Sequence, residues 1–484
     1  MKILVIQLAR LGDIYMTWPA LRALRRSYPA AEIHFLSRPR FEGAVEGLSA
    51  IDRHWTLPTS NILAPLVQEE ANVTESLQLL GNFIDEVKAQ NFDWIINFTF
   101  SPASSYLTHS LSSLFTKVSG YSRYKDGTLC LPDEISAYFY AQVGIGKANR
   151  VHVADVLASM IDVQFIESDW APPEAMATSL NLPEQYLVLH VGASEKQKSL
   201  SPASWAQTLN YFSKRYSALP IVLIGAASEW NLADEIQRSV PNLTFLNLAG
   251  KTKISDLFSI IQKADLLIGC DSAPIHMASL TDTPTLNVSI GEVNFWETGP
   301  KATLGFIYRS ENEGTLVPER LGEVLALLLE GNVAPELITR TSGMVSYDKP
   351  ETPAEKFRWQ LTEAIYLGGN YPVADRIEII KGAMQLNDIN NFAMEQIRLI
   401  PTKGLELTGP LLDRAEEVIQ TISQSVPELG PLISWYQAEK IRIGPGTLEE
   451  ICTAALSVHE KMARHIHVYI PQEAIDEEVD NGTL

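Results

Sequence analysis

Gly269 to Ala278, with the sequence Gly-Cys-Asp-Ser-Ala-Pro-Ile-His-Met-Ala, decides how the chain is organised. It follows the apolar run Ala264 to Ile268 and precedes a second strand-like run, Thr285 to Ile290. Asp271 and Ser272 are residue types that begin helices, and the proline shortly after them is suited to a first helical turn. The stretch therefore predicts a buried parallel strand, a tight turn and a helix.

The predicted turn has the properties of an anion site. In an open α/β sheet, ligands bind beyond the carboxyl ends of the strands, and a helix start offers unpaired N–H groups and partial positive charge. His276 falls in the first turn of the helix, where a neutral ring donates a hydrogen bond and a protonated ring also neutralises charge. The alternative is a structural histidine. We predict that this stretch binds a diphosphate.

The composition indicates a multidomain globular protein with an acidic surface. The 484 residues are too many for one core and predict about three domains. The formal net charge of -20 excludes a non-specific nucleic-acid or anionic-membrane binder, because both need a basic surface. The three cysteines lie far apart, without metal-ligand spacing or a disulfide framework. Met1 to Leu8 is too short for a membrane span, so we expect a cytoplasmic protein.

Two successive sets of alternating strands and helices precede a helical region. The first set has predicted strands at Ile3–Leu8, Glu32–Leu36, Trp94–Phe98 and Lys117–Gly120, with a helix at Val73–Lys88. The second has predicted strands at Tyr186–Val191, Ile221–Gly225, Leu243–Leu248, Asp265–Gly269 and Thr285–Ile290. This pattern predicts an α/β fold with two facing, Rossmann-like doubly wound domains and a ligand cleft between them.

The strand signals stop after about Val333, and the rest of the chain predicts an all-α domain. Its predicted helices are Phe357–Ile365, Val373–Met384, Asn391–Ile397, Pro410–Ile422, Leu429–Ile441 and Leu448–His465. Glu473 to Leu484 is predicted to be a solvated acidic tail. The expected domains are residues 1–170, residues 171–345 and residues 346–484, the last being a helical extension with that tail.

The turn after the first strand, Arg10-Leu11-Gly12-Asp13, carries the candidate for catalysis, Asp13. A glycine permits close backbone approach, and a carboxylate facing the cleft accepts a proton from a substrate hydroxyl. The alternative is that Asp13 caps the next helix. No G-x-G-x-x-G follows this strand, which removes the usual support for a dinucleotide oxidoreductase. Gly144-Ile145-Gly146-Lys147 lacks the Walker spacing and is predicted to be a loop.

The second domain offers candidates for binding a phosphorylated ligand near its strand ends. Gly192 and the small residues beside it let backbone N–H groups face a ligand, and Lys196 or Lys198 pairs with phosphate. The alternative is that these are solvated loop lysines. Glu229 suits ribose hydroxyls, although the electrostatics of a helix start explain it equally well. Trp296 either stacks on a base or sugar or is buried against the domain face.

Basic residues are the candidates for binding an acidic acceptor. Arg38 and Arg123 lie near predicted strand ends of the first domain, and Arg10 lies beside the candidate for catalysis. The alternative is that they are isolated surface charges.

In this order, the motifs resemble glycosyltransferase family 9, the heptosyltransferase-like enzymes with two Rossmann domains in the GT-B arrangement. The resemblance rests on Arg10–Asp13 with Trp18–Leu24, on Phe92–Asn97, on Gly120-Tyr121, on Asn149–His152, on Gly192-Ala193 with Lys198, and on Asp271–Ala278. It spans roughly residues 1–330. The family that it resembles includes the ADP-heptose transferases of lipopolysaccharide core synthesis.

The resemblance implies an inverting, metal-independent glycosyltransferase without a cofactor, with a nucleotide-diphosphate sugar as donor and ADP-heptose as the first choice. Asp13 would be the base that deprotonates the acceptor hydroxyl, and Glu229 would hold the nucleotide ribose. The residues implied for the donor diphosphate are Lys198, His276, Gly192 and the backbone at Ser272 and Ala273. A lysine, a histidine and a helix start would replace a metal cation there.

The expected partners are a nucleotide-sugar donor and a glycan or protein acceptor, with no nucleic acid and no transmembrane segment. Peripheral association with the inner membrane and the oligomeric state stay open. Ala273 stands where the family usually has glycine. Shorter members of the family lack the helical extension, and this difference indicates an acceptor other than core lipid. The alternatives are a GT-B enzyme with another donor, a nucleotide-sugar epimerase or hydrolase, and a non-catalytic scaffold whose helical domain binds a partner.

Overall fold

The computed structural model describes residues 1–174, 180–193, 195–340, 347–348 and 352–471. By its internal contacts the chain divides into two units. The sheet unit comprises residues 1–119 and 151–349, and the helical unit comprises residues 120–150 and 350–484.

In chain order the strands are β1 Lys2–Ile6, β2 Glu32–Ser37, β3 Arg53–Thr56, β4 Trp94–Asn97, β5 Lys117–Gly120, β6 Ser122–Arg123, β7 Leu129–Cys130, β8 Leu187–His190, β9 Ile221–Ile224, β10 Phe245–Asn247, β11 Leu266–Cys270, β12 Thr285–Ile290, β13 Gly305–Ser310, β14 Ile338–Arg340 and β15 Tyr347–Asp348. The α-helices are α1 Leu11–Ser27, α2 Thr59–Leu63, α3 Val73–Lys88, α4 Pro102–Leu111, α5 Glu134–Gln142, α6 Val153–Met160, α7 Pro202–Phe212, α8 Trp230–Ser239, α9 Ile254–Gln262, α10 Ala273–Thr281, α11 Phe295–Thr298, α12 Pro318–Leu329, α13 Pro353–Tyr366, α14 Ile377–Lys403, α15 Leu405–Ser425, α16 Gly430–Arg442 and α17 Leu448–His467.

The first sheet of the sheet unit has the strand order β3-β2-β1-β4-β5. Strand β1 is an apolar run after its first residue, and its last four residues are buried, as expected of a parallel strand that is covered on both faces. The chain adds β2 and β3 on one side of β1 and then places β4 on the other. The turn after β1 therefore lies at a topological switch point, where open α/β sheets bind ligands.

The second sheet has the strand order β10-β9-β8-β11-β12-β13-β14-β15. Neighbours from β10 to β13 are parallel, whereas β14 and β15 add antiparallel pairs at one edge. Strands β9 and β10 lie on one side of β8, and β11 lies on the other. His190 at the end of β8 pairs with Gly269 of β11. The loops after β8 and β11 therefore meet at the second switch point.

Helices from the two sheets pack against each other within the sheet unit. The rings of Tyr15 and Trp18 in α1 meet the ring of Phe258 in α9, with centroid distances of 5.2 and 5.5 Å. All three side chains are almost completely buried. Such aromatic pairs add about 0.5–1.5 kcal/mol beyond the area that they bury. This packing holds α1, which follows β1, against α9, the helix that precedes β11.

The helical unit combines the antiparallel pair β6–β7 and helix α5 with helices α13 to α17. Its core includes Leu386, Ile419, Leu429 and Met462, all buried. The side-chain amide of Gln142 in α5 donates to the Pro431 carbonyl at 2.9 Å, which ties α5 to α16. Residues 120–150, which the sequence places with the first domain, thus group with the helical region.

The predicted α/β class, with two doubly wound sheets and a helical region, is confirmed. Three elements begin and end at the predicted residues, namely Val73–Lys88, Lys117–Gly120 and Thr285–Ile290. The prediction that strands stop after Val333 is wrong, because β14 pairs with β13 and β15 pairs with β14. These strands have three and two residues, too few to show an alternating pattern.

Most of the predicted helix Val373–Met384 and all of Asn391–Ile397 are in fact parts of one helix, α14, which begins at Ile377. The polar run between them resembles a break but is partly buried. Asn390 donates from its side-chain nitrogen to the His459 carbonyl at 3.1 Å, and its Oδ1 lies 2.7 Å from His459 Nδ1. A buried, hydrogen-bonded asparagine is compatible with a continuous helix.

The two boundaries between the three predicted domains stay predictions. The join between residues 345 and 346 and the acidic tail, Glu473 to Leu484, lie outside the described residues. Of the helices that the structure describes, none combines the length and the apolar character needed to cross a membrane.

Candidate active site

The helix start after β11 is arranged as an anion site. Ser272 precedes α10 in an extended conformation, and its hydroxyl does not cap the helix. The hydroxyl instead donates to the Cys270 carbonyl at 2.8 Å and lies 3.0 Å from His190 Nδ1, so the imidazole proton belongs on Nδ1. The first turn of α10 therefore has no side-chain cap, a condition that favours an anion at its N–H groups.

Gly12 brings the first turn of α1 against the first turn of α10. A Cβ atom on Gly12 would lie 2.9 Å from Cδ2 of His276 and 3.7 Å from Cα of Ala273. His276 is buried, and burial lowers the pKa of its ring to about 4. At neutral pH the ring is therefore uncharged. In this environment it offers a hydrogen bond to a phosphate, whereas the resemblance implied that it neutralises charge.

Asp13 occupies the third position of α1 and is partly buried. Its Oδ2 accepts the Arg10 backbone N–H at 2.8 Å, so the capping alternative is observed. Burial raises the pKa of the Asp13 carboxyl, while that hydrogen bond and the charges of Arg10 and Arg38 oppose the rise. A raised pKa makes a carboxylate a stronger base, so capping and base catalysis are compatible roles.

An ionic network joins the turn after β1 to the loop after β8. Arg10 NH2 lies 2.8 Å from Glu195 Oε1, and Lys198 Nζ lies 3.6 Å from the same oxygen. Lys198 is buried and its charge acts on Asp271, whereas Lys196 is exposed. The geometry therefore favours Lys198 over Lys196 as the phosphate ligand.

Asp271 is a second partly buried carboxyl of the cluster. Thr298 donates from its hydroxyl to Asp271 Oδ1 at 3.0 Å. Burial raises the pKa of Asp271, which is opposed by the Thr298 hydrogen bond and by the charge of Lys198. The negative charge of Asp13 adds to the rise, so the two carboxyl groups share one electrostatic environment.

Glu229 lies across the ends of β8 and β9. A Cβ atom on Gly192 would lie 1.7 Å from Glu229 Oε1, and one on Gly225 would lie 2.7 Å from Oε2. Oε2 also accepts the Ala226 backbone N–H at 2.7 Å and lies 3.9 Å from His190 Nε2. Burial raises the pKa of this carboxyl. Both glycines thus leave space for the glutamate side chain. The sequence instead predicts that the backbone at Gly192 contacts phosphate.

Trp296 packs into the domain rather than standing free for a base. It is 8% exposed and belongs to a cluster with Phe295, Ile307 and Ile338. Its ring lies 5.0 Å from the Phe295 ring, centroid to centroid. The packing alternative is therefore favoured, and base stacking by Trp296 stays a prediction.

The arginines predicted for the acceptor fall into different units. Arg38 donates to the Ala9 carbonyl, its guanidinium lies 5.5 Å from the Phe41 ring, and its charge acts on Asp13. It is therefore near the proposed base. Arg123 belongs to the helical unit, where NH1 donates to the Gly127 carbonyl at 3.1 Å. Its role in acceptor binding stays a prediction.

Sequence reasoning did not assign a role to Glu195 or His190. Glu195 pairs with Arg10 across 185 residues, a contact that only the fold creates. His190 bonds Ser272 across 82 residues. The one available signal was position, because His190 ends the strand β8 and Glu195 lies in the loop that follows it.

Residues 81–300 match the family model described as glycosyltransferase family 9 (heptosyltransferase). In this region, which is less than half of its length, the chain resembles a glycosyltransferase family 9 domain. It is accordingly a glycosyltransferase. The matched residues include Lys198, Glu229 and the α10 start, whereas Arg10, Asp13 and Arg38 precede them.

Curated relatives and a solved structure are similar to this chain. The chain is 23% identical over 300 residues to lipopolysaccharide heptosyltransferase 3 of Escherichia coli, covering 57% of this chain and 79% of that protein. It is 22% identical over 306 residues to lipopolysaccharide heptosyltransferase 1 of Campylobacter coli, covering 60% and 83%. The crystal structure of a family 9 glycosyltransferase from Veillonella parvula superposes with a TM-score of 0.51 at 16% identity, covering 68% of this chain and 97% of that chain. The last likeness supports the GT-B fold.

Proposed function

We propose that this glycosyltransferase moves heptose from ADP-heptose to a hydroxyl of a surface glycan or protein, with inversion and without a metal ion. The observation that supports the proposal is the close approach of Gly12 to His276, which places the turn that contains Asp13 next to the start of α10. A carboxylate thereby lies beside a helix start that favours phosphate. The names of the relatives supply the sugar and the link to lipopolysaccharide.

In the proposed reaction, Asp13 accepts the proton of the acceptor hydroxyl. The hydroxyl oxygen attacks the anomeric carbon from the side opposite the diphosphate, and the bond from that carbon to the diphosphate oxygen breaks. The diphosphate leaves with the electron pair toward Lys198 and the first turn of α10. Charge develops on this leaving group, so cation and helix-dipole stabilisation should contribute most of the rate effect.

The neutral ring of His276 fits this scheme as a hydrogen-bond donor to the diphosphate. Its burial next to Gly12 keeps it uncharged until an anion raises the pKa of the ring. Glu229 remains the candidate for the ribose, because its carboxylate lies at the ends of two neighbouring strands, β8 and β9.

The base assignment is tested with Asp13→Asn. Asparagine keeps an oxygen that accepts the Arg10 N–H, so the start of α1 stays capped while the basic group is lost. We expect transfer to fall by about 10²–10⁴-fold with donor affinity unchanged. The matched control is Asp256→Asn, because Asp256 accepts the Lys253 N–H at 2.9 Å at the corresponding position of α9. Near-normal transfer by Asp13→Asn would show that another group is the base.

The donor is tested by thermal shift with ADP-, GDP- and UDP-sugars on the full chain. A ligand that binds the folded state raises its apparent stability by mass action, so the largest shift identifies the donor. Product analysis without an acceptor then separates the alternatives. An epimerase or hydrolase turns over the donor alone, and a non-catalytic scaffold shifts with none of the sugars.

A further inference from the structure

The helical unit contains a pocket of about 340 Å³ that the transfer reaction does not use. It lies between the loop 144–148, the helices α13 and α16, and the end of α15. Gly144-Ile145-Gly146-Lys147 forms a loop, as predicted, and contributes Gly146 and Lys147 to the pocket wall. The other polar residues of the wall are Gln142, Arg358, Ser423 and Ser434.

Two cations line this pocket, and no carboxylate is among its described lining residues. Lys147 Nζ lies 3.4 Å from Ser434 Oγ, and Arg358 NH2 donates to the Gly146 carbonyl at 2.6 Å. Arg358 Nε is buried and has no hydrogen-bond partner among the described residues. Neither cation forms an ion pair with a described carboxylate within 4 Å.

The nearest carboxylates are engaged elsewhere. Glu355 and Glu428 act on Arg358 through their charges. However, Glu355 Oε2 accepts the backbone N–H of Thr352 at 2.9 Å, and Glu428 Oε1 pairs with Arg376 NH1 at 2.5 Å. The positive charge inside the pocket is therefore only partly compensated.

Burial disfavours the charged forms of both Lys147 and Arg358. It lowers the pKa of Arg358, and burial together with the Arg358 charge lowers the pKa of Lys147. Helix dipoles do not determine whether the pocket favours an anion or a cation. The start of α16 contributes partial positive charge, the last turn of α15, at Ser423, contributes partial negative charge, and the two offset each other. An anion between the two cations would relieve their repulsion.

We propose that this pocket binds the phosphoryl group of a small phosphate monoester. The guanidinium presents a planar fork of donors, the ammonium adds a point charge, and two serine hydroxyls complete a set suited to a dianion with several oxygens. The volume falls in the lower part of the range for small-molecule sites, about 300–1,000 Å³, and exceeds what one phosphate ion fills. The shared chemistry also admits free inorganic phosphate.

The test is calorimetric titration of the full chain with inorganic phosphate and with glucose 6-phosphate. We expect saturable binding with a Kd on the order of 1 mM or below. Removing one cation in Lys147→Gln or Arg358→Gln should weaken it by about tenfold or more. Tighter binding of glucose 6-phosphate than of phosphate supports a monoester as ligand. Tighter binding of inorganic phosphate supports the site but assigns it to the free ion.

Controls separate this pocket from the donor site and from loss of folding. Lys403→Gln removes an exposed lysine of the helical unit and should leave binding unchanged. Lys198→Gln, in the donor site, should also leave it unchanged. Arg358→Lys restores a cation and should recover part of the affinity if Arg358→Gln lowers it through charge. If the unmodified chain showed no saturable binding, the proposal would be wrong. It would also be wrong if Lys198→Gln lost the binding while Lys147→Gln kept it.

Discussion

The Glu195 carboxylate contacts two cations, Arg10 and Lys198, of which Lys198 is the proposed ligand of the diphosphate. It lies 2.8 Å from Arg10 NH2 and 3.6 Å from Lys198 Nζ, and these contacts lower its pKa. A negatively charged donor must therefore compete with an internal carboxylate for the same positive charge. Glu195 weakens donor binding by this argument, although it also keeps the two cations close together.

Glu195→Gln should accordingly bind ADP more tightly. The amide retains a hydrogen-bond acceptor but removes the charge that neutralises Arg10 and Lys198. Because the pair is partly exposed, we expect a gain of only about twofold to fivefold in affinity, measured by calorimetry at low ionic strength. Glu235→Gln makes the same change at an exposed site of α8 and should have no effect. Equal or weaker binding by Glu195→Gln would contradict competition.

The buried histidines of the site make stability depend on pH. Burial lowers the pKa of His190 and His276 to about 4, below the ordinary value of 6.5. Between these values the unfolded chain binds more protons than the folded chain, so the free energy of unfolding falls as the pH falls. The loss is at most about 1.4 kcal/mol per pH unit for each histidine.

His276→Gln should reduce this loss, because one of the two groups no longer titrates. Urea unfolding of the sheet unit, followed by tryptophan fluorescence at about pH 7 and about pH 5, measures the difference. His467→Gln, which removes an exposed histidine of α17, should keep the full loss. If His276→Gln lost as much stability on acidification as the unmodified chain, burial of that ring would not be the cause.

Elements that the local sequence determines were predictable, and those that depend on distant partners were not. The apolar runs of β11 and β12 and the helix start between them are encoded within 27 residues, 264–290, and the structure forms them there. Within α14, buried Asn390 has its hydrogen-bond partner in His459, which is 69 residues away. The same holds for the candidate site, where position along the chain predicts Asp13 and leaves Lys196 and Lys198 as alternatives, whereas the Arg10–Glu195 contact joins residues that are 185 apart.

The contact of α1 with α10 is the element-scale feature on which the proposed site depends. Gly12→Ala places a methyl group 2.9 Å from His276 Cδ2 and 3.3 Å from Nε2, so either the buried His276 ring or the two helices must shift. We expect a loss of about 1–3 kcal/mol in stability and a lower rate of transfer. Gly81→Ala in α3 is the control, because a Cβ atom there meets nothing within 4 Å and should stabilise the helix by about 0.5–1 kcal/mol. An active Gly12→Ala variant of normal stability would refute the contact.

At the scale of the whole molecule, the chain consists of two units that each have their own core. The sheet unit buries clusters around β1 and around β8, and the helical unit buries a cluster around α14 to α17. Units with separate cores need not unfold together, so a single free energy of unfolding need not describe the chain. Each unit also contains one proposed ligand site, the donor site in the first and the phosphate pocket in the second.

We therefore expect ligands to stabilise the two units selectively. An ADP-sugar at about 100 times its Kd adds about 2.7 kcal/mol to the unit that binds it, which raises one calorimetric transition and leaves the other in place. Glucose 6-phosphate should raise the other transition. Lys198→Gln should diminish only the first shift, and Lys147→Gln only the second. A common shift of both transitions with either ligand would mean that the units unfold as one, whereas a shift by the wrong ligand would reassign the site to the other unit.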